Sequence, residues 1–515
     1  MNYADLFRVT LPETVLEIAA LLVLVVDLGL LRKAALKTRA AIAVLLGEVG
    51  CGVALLSLQF QAQGGLTYPG SSDVVLAAGG SAAVAQAGLL VLTVLSLFLL
   101  IDSTFTRHVG EFVAVTLMAA AGGMLIASAQ DLLVIFVGLE LLSLGLYILT
   151  AFAKQSGKSA EGALKYYLFG GMSAAFLLFG FSYLYGITGS TNLHRVILGL
   201  YSVNAAQAAP LEYLALVMIA AGLGFKVAAV PFHLWAPDAY EGAPAPSAAF
   251  IASVSKVASF ALLISIGTAA WHVFDGIHGR MSISAQFHMQ SEPVYLGFRS
   301  AWGELLMVLA LVSMVVGNLA ALAQTNVRRL LAYSAVAHAG YILLGLAFFS
   351  CGPRSAQAIL YYVLTYGLTT IGAFGVVAAV ERETGSANMD AFLGLSKRNP
   401  LLAAVLLVLF LSLAGIPPLV GFWAKFNLFA AVLSVYPSGF ALALVILALA
   451  MSAVSLYYYL QVLKRAYVMP AVDTTALKAH PVTMMVLLMV AAGVVALGCF
   501  PALLQNWLQS FYAGM

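Results

Sequence analysis

Five ionisable residues sit inside long apolar stretches of the sequence: Glu140, Lys226, Lys256, His338 and Lys425. A charged side chain in hydrocarbon costs about 2.5–3.5 kcal/mol on insertion scales. One such residue could be an accident of packing, but five in separate segments point to chemistry. A nearby carboxylate favours the protonated form of a lysine, whereas burial disfavours it. A Glu140–Lys226 pair that closes and opens would therefore take up and release a proton. Lys256 and Lys425 could pass protons onward through water, and a histidine such as His338 relays them near neutral pH. Protonated lysines have no lone pair for a metal cation, so the set favours protons over sodium. The competing reading is a scaffold in which buried charges only fix helix register.

Two proline-broken segments give these residues their setting. In GLGFKVAAVPFHLWAPDAYEGAP, Lys226 precedes Pro231 by five residues, and Asp238 and Glu241 follow in an acidic turn. In LSLAGIPPLVGFWAKFNLF, Pro417 and Pro418 come first and Lys425 follows. Proline removes a backbone donor and breaks a helix. At membrane depth, broken backbone is tolerated only where it is buried in protein or lines a wet cavity. Glu140 lies in GLELLSLGLYIL with Ser143 three residues on, and Lys256 lies in SVSKVAS among hydroxyls. His338, in RLLAYSAVAHAGY, is either a relay or a hydrogen-bonded core histidine. Lys165, one turn from Glu161, is either part of the path or a lysine that snorkels to the surface. Glu48, beside Gly47, Gly50 and Gly52, marks close helix packing and is a weaker candidate. Tyr361, Tyr362, Thr365 and Tyr366 could support a water chain or simply pack.

The elements that must position these groups are membrane helices. Hydrophobic residues make up 63% of the 515 and charged residues 9%, against roughly 25% charged in soluble domains. This excludes a soluble globular fold, and the net charge of +3 gives no case for nucleic acid. Crossing a bilayer takes about 20 apolar residues. On that basis 14 spans are expected, near 11–31, 40–58, 83–101, 112–128, 131–152, 161–185, 213–234, 247–270, 302–322, 329–350, 356–380, 400–432, 439–463 and 481–505. With both termini outside, the inside loops hold fifteen of the 24 basic residues and the outside segments five, in accord with the positive-inside rule. Asp27 is expected to pair with Arg32 and Lys33 at the inner surface. Span 7 runs inward and span 12 outward, so the two breaks predict inverted five-helix repeats at 112–270 and 302–463, after helices 1–3 (1–111) and before helix 14 (481–505). Cys51, Cys351 and Cys499 are too scattered for a cluster. His272, His278 and His288 lack a ligand pattern. The first apolar run has no basic n-region and carries Glu13, Glu17 and Asp27, which argues against a cleaved signal.

These motifs resemble the antiporter-like subunits of respiratory complex I, the proton-pumping NADH–quinone oxidoreductase, a family shared with multisubunit cation/proton antiporters. The likeness is carried by GLELLSLGLYIL, KVAAVPFHLWAPDAYEGAP, RLLAYSAVAHAGY and AGIPPLVGFWAKF. It implies an all-α polytopic fold of about 14 helices with two inverted five-helix units. It also implies that Glu140 and Lys226 form the pumping pair, that Lys256 links the half-channels and that Lys425 is the terminal exchange site; Lys165 matches a further family lysine. Within the family, the lysine at 425, where M-type subunits have a glutamate, and a chain that stops at 515 just after span 14, without the lateral helix of L-type subunits, resemble the N type. An M-type or antiporter subunit is the alternative. The expected setting is a bacterial inner membrane with both termini periplasmic, next to M-type and small membrane subunits of the complex. No cofactor is expected in this chain, since it has neither a dinucleotide-binding strand–turn–helix nor a cysteine cluster. NADH, FMN, iron–sulfur clusters and quinone are expected in partner subunits.

Overall fold

In the computed structural model, residues 3–63, 74–202, 205–278, 297–348, 353–435, 438–471 and 475–512 are described. Among them the chain is an all-α polytopic membrane protein. Twelve helices are long and apolar enough to cross a bilayer: α2 (Leu36–Gln63), α3 (Gly80–Phe98), α4 (Val109–Ser128), α5 (Leu132–Thr150), α6 (Gly157–Thr188), α7 (Ala205–Val227), α9 (Ala245–His278), α10 (Gly297–Leu322), α11 (Val327–Ala347), α12 (Pro353–Thr384), α15 (Gly439–Tyr467) and α16 (Pro481–Cys499). The first span is α1 (Leu11–Val25), prolonged by a π-helical turn over Val26–Leu30. The remaining span is split into α13 (Pro400–Ala414) and α14 (Val420–Val435). A short helix α8 (Trp235–Gly242) follows the break after α7. His288 and Cys351 lie outside the described residues.

Three expectations change. The seventh span ends at Val227, not 234, because Ala228 turns left-handed (φ 56°) and Pro231 bars renewed helix. The last span stops at Cys499, and Pro501 separates it from a second helix, Ala502–Tyr512. Asp27 pairs with Arg39 instead of Arg32 or Lys33: the turn after the π segment brings the first turn of α2 back alongside, and the guanidinium binds both carboxylate oxygens at 2.7 and 2.6 Å. Near Glu48, Gly47 and Gly50 allow close packing against Val113 and Ala19, while Gly52 faces open space.

The same order of elements occurs twice. α4, α5, α6, broken α7/α8 and α9 are followed later by α10, α11, α12, broken α13/α14 and α15. Both α6 and α12 are 32 residues long. Asp131, the N-cap of α5, forms a bridge with Asn192; Asn326, the N-cap of α11, forms its counterpart with Asn388. These caps satisfy amide groups that a helix start leaves open. α9 lies at the centre, with its apolar window fully buried, while only 33% of that of α15 is.

Candidate functional site

Both broken helices end in one geometry. At the end of α7 the Ala229 N–H donates to Gly224 O at 2.8 Å and the Ala228 N–H to Phe225 O at 3.0 Å. At the end of α13 the Ile416 N–H donates to Leu411 O at 3.0 Å and the Gly415 N–H to Ser412 O at 2.9 Å, with Gly415 at φ 89°. Each is a Schellman termination, and each leaves the final carbonyls of the helix without a backbone donor. A buried lysine supplies it. Lys256, on α9, donates to Val227 O. Lys425, on α14, donates to Leu413 O at 3.1 Å, Ala414 O at 2.9 Å and the Ser452 hydroxyl of α15 at 2.7 Å. The negative end of a helix dipole favours a cation there. Gly415 is required twice over: its φ is left-handed, and a Cβ would stand 3.0 Å from Lys425 Cδ.

Lys226, in the last turn of α7, is buried, with 8% of its surface exposed. Its ammonium donates to Ser143 Oγ on α5 at 2.6 Å and lies 3.7 Å from Glu140 Oε1. The carboxylate is thus close enough to attract the charge yet beyond hydrogen-bond reach. Glu140 is 28% exposed and Ser143 buried, so the pair spans the border between core and periphery.

His338, on α11, has Nδ1 2.9 Å from the Tyr362 hydroxyl, and its buried Nε2 has no partner among the described residues. The Lys425 ammonium stands 5.4 Å from the centroid of the Tyr341 ring. Asn318 donates to the Tyr341 hydroxyl at 3.0 Å and accepts from Tyr458 at 3.2 Å. Ser334 and Tyr459 share a further hydrogen bond. Hydroxyls and amides thus fill the space around His338 and Lys425. Ser452, Asn318 and Tyr458 carry little signal in the sequence, because uncharged polar residues in apolar helices are as often helix-packing groups.

Lys165 stands apart from the buried groups. It is 39% exposed and pairs with Glu161 and Asp238, both at 2.7 Å. Asp238 and Glu241, on α8, also bind Arg329 Nη1 at 2.6 and 3.1 Å, and Glu241 binds Lys158 at 2.7 Å. Burial pushes both carboxyls up, but the hydrogen bonds from Lys165 and Arg329 to Asp238, and from Lys158 and Arg329 to Glu241, outweigh it and hold both below their ordinary range. A cavity of about 360 Å³ adjoins this end of the bundle, lined among others by Asp102, Lys158, Glu241, Arg328, Glu381 and Arg382. Among the described residues no group of three or more His, Cys, Asp or Glu is placed to hold a metal ion.

A fold of paired broken helices with buried lysines at their ends defines the class of antiporter-like membrane subunits. The family model for the NADH:quinone oxidoreductase/Mrp antiporter membrane region matches residues 129–287 and 280–452. The chain is 47% identical to NADH-quinone oxidoreductase subunit N 2 of Acidobacterium capsulatum, over 99% of both chains. It is 38% identical to NADH-quinone oxidoreductase subunit N of Desulfovibrio desulfuricans, over 97% of this chain and 96% of the other. Among solved structures, a chain of respiratory complex I from Thermus thermophilus, determined with bound aureothin, superposes with a TM-score of 0.75 at 32% identity, covering 96% of this chain and 98% of that one. The chain therefore belongs to the antiporter-like membrane subunits of NADH–quinone oxidoreductase, with subunit N proteins as the relatives it matches.

Proposed function

We propose that this chain is the N-type proton-translocating subunit in the membrane arm of a bacterial NADH–quinone oxidoreductase. Protons move through Glu140, Lys226, Lys256, His338 and Lys425, driven by quinone reduction in partner subunits that hold NADH, FMN, iron–sulfur clusters and quinone. The observation that carries the reading is Lys226, buried at a helix break between Ser143 and a carboxylate 3.7 Å away. A lysine so placed holds its proton while Glu140 is near and yields it when the pair separates. Lys256 and Lys425, each at the carbonyl end of a broken helix, are held where a cation is welcome and where helix motion would change its stability. Lys165 takes its place at the rim of the route, beside Asp238. Two inverted five-helix units, 112–270 and 302–463, carry one break each. The end bearing most of the basic residues faces the cytoplasm, both termini face the periplasm, and M-type and small membrane subunits flank the chain.

The experiment compares NADH-driven proton pumping in membrane vesicles for native protein and Lys226→Ala, with assembly checked on the same preparation. Loss of both pumping and quinone turnover in an assembled complex supports the reading. Normal assembly and normal pumping would make Lys226 a structural lysine. An antiporter subunit would instead purify without quinone reductase activity.

A further inference from the structure

The segment that follows the first break is gripped by the second set of helices. We infer that Arg329 is a positioning residue for the Lys226 site: by tethering α8 to the first turn of α11, it ties the first broken helix to the helix that carries His338. Asp238 and Glu241 are three residues apart and so share a face of α8. Arg329 Nη1 binds both, at 2.6 and 3.1 Å. Its neighbour Arg328, 5% exposed, takes the backbone of the same segment: Nη1 donates to Glu241 O at 3.1 Å and Ala243 O at 2.7 Å, while Nη2 binds Glu381 of α12 at 2.6 Å. Two arginines in the first turn of a helix oppose its dipole, which favours acids there. Stability of α11 by itself does not account for them, whereas their partners on α8 do.

The other end of α8 is fixed to the site. Trp235, its first residue, reaches back across the break and donates through Nε1 to Phe225 O at 3.1 Å, next to Lys226. Its ring also stacks on Tyr166 of α6, centroids 4.0 Å apart. On α11, His338 lies nine residues beyond Arg329, roughly 13.5 Å along the axis. A shift of α11 on its axis therefore carries α8, and with it the end of α7, relative to Glu140 on α5. Among the described residues, the other charges around this cluster are Lys158, Glu161 and Lys165 of α6, which pair with each other or with α8, and Asp102, Glu381 and Arg382, which line the cavity beside Glu241. With exposures of 18–29%, Arg329, Asp238 and Glu241 are partly screened, so the bridge contributes position more than stability.

This inference rests on Lys226 lying on the proton path, so Lys226→Ala is measured in parallel. Arg329→Gln and Arg329→Lys are assayed in the intact complex for assembly, NADH-driven pumping and quinone turnover between pH 4 and 8. Arg329→Gln is expected to assemble with pumping lowered about 2- to 5-fold, the size of a partly screened ion pair. Its acid limb should move to higher pH, because Asp238 and Glu241 lose the partner that keeps them ionised. Arg329→Lys should recover more than half of the loss. Native pumping with a native pH profile in assembled Arg329→Gln overturns the tether, and so does a uniform loss that Arg329→Lys does not recover. If Arg329→Gln fails to assemble, Asp238→Asn decides: a drop of about two- to threefold supports the tether and native pumping overturns it. Normal pumping in Lys226→Ala removes the proton-path reading itself. An inactive Lys226→Ala beside a native Arg329→Gln removes only the tether.

Discussion

The ammonium of Lys226 lies 3.7 Å from the carboxylate of Glu140, held off by a 2.6 Å hydrogen bond to Ser143 Oγ. This loose contact is the arrangement a switch needs. A pair in full hydrogen-bonded contact would cost more to separate, and an isolated buried lysine would have nothing to hold its proton.

Removing either partner should therefore be felt. Ser143→Ala takes away the close hydrogen bond and is expected to lower pumping about tenfold, the effect of a charge-assisted bond worth roughly 1.5 kcal/mol. Glu140→Gln should lower it further at normal assembly. Native pumping in Glu140→Gln would turn the argument to a scaffold whose charges only fix helix register.

The lysines at the helix ends should serve structure and transport together. Lys256→Met removes the donor to Val227 O and Lys425→Met the donor to Leu413 O, each at a cost of about 1–3 kcal/mol. The fraction of intact complex surviving a heating series should fall, and pumping should be lost in whatever complex remains. A Lys425→Met complex that is heat-stable and pumps would contradict both roles.

The two breaks differ in which helix supplies the cation, α9 in one and α14 in the other, although Ser452 of α15 touches the second break much as Lys256 of α9 touches the first. Moving the charge should be tolerated. Lys425→Ala is expected to stop pumping, and adding Ser452→Lys to restore a measurable part of it. No recovery in an assembled double variant would show that the attachment point of the lysine matters, beyond its location.

The left-handed residues offer an opposed pair. Gly415→Ala places a Cβ against Lys425 at φ 89° and should destabilise by about 1–2 kcal/mol while lowering pumping. Ala228→Gly relieves a φ of 56° and should stabilise by up to about 1 kcal/mol. Heat resistance of the two assembled complexes, compared side by side, reads both signs.

The bridge at α8 has a predictable pH window. Asp238 and Glu241 are held below their ordinary values of 3.8 and 4.5. A depressed carboxylate contributes stability that is complete above its unfolded value and lost as pH falls through the lower folded one. The bridge should thus stay closed from neutrality down to about pH 4.5 and open only in stronger acid. Heat resistance of the intact complex, measured from pH 7 down to pH 4, should therefore be lower in Arg329→Gln than in native protein at neutral pH, with the two converging at the acid end. A difference that persists undiminished at pH 4 would show that these carboxylates do not carry it.

The sequence by itself determined the class, the number of spans and four of the buried ionisable groups, Lys226, Lys256, His338 and Lys425; it did not single out Arg328. Long apolar runs admit only helices in a bilayer, and an ionisable residue inside one stands out by type without any coordinates. Pro231, Pro417 and Pro418 likewise announced two breaks, because a missing donor is written in the residue. Tertiary structure decided what those residues touch. That Lys256 meets Val227, that Lys425 meets Ser452, and that Arg329 reaches α8 rather than a neighbour on its own helix depend on partners 27 to 91 residues away. It also moved Asp27 to Arg39 and ended α7 at Val227, since a π turn and a left-handed alanine are backbone choices settled by packing. Residue types name the charges a membrane will not tolerate alone; only the packed helices say which group answers each of them.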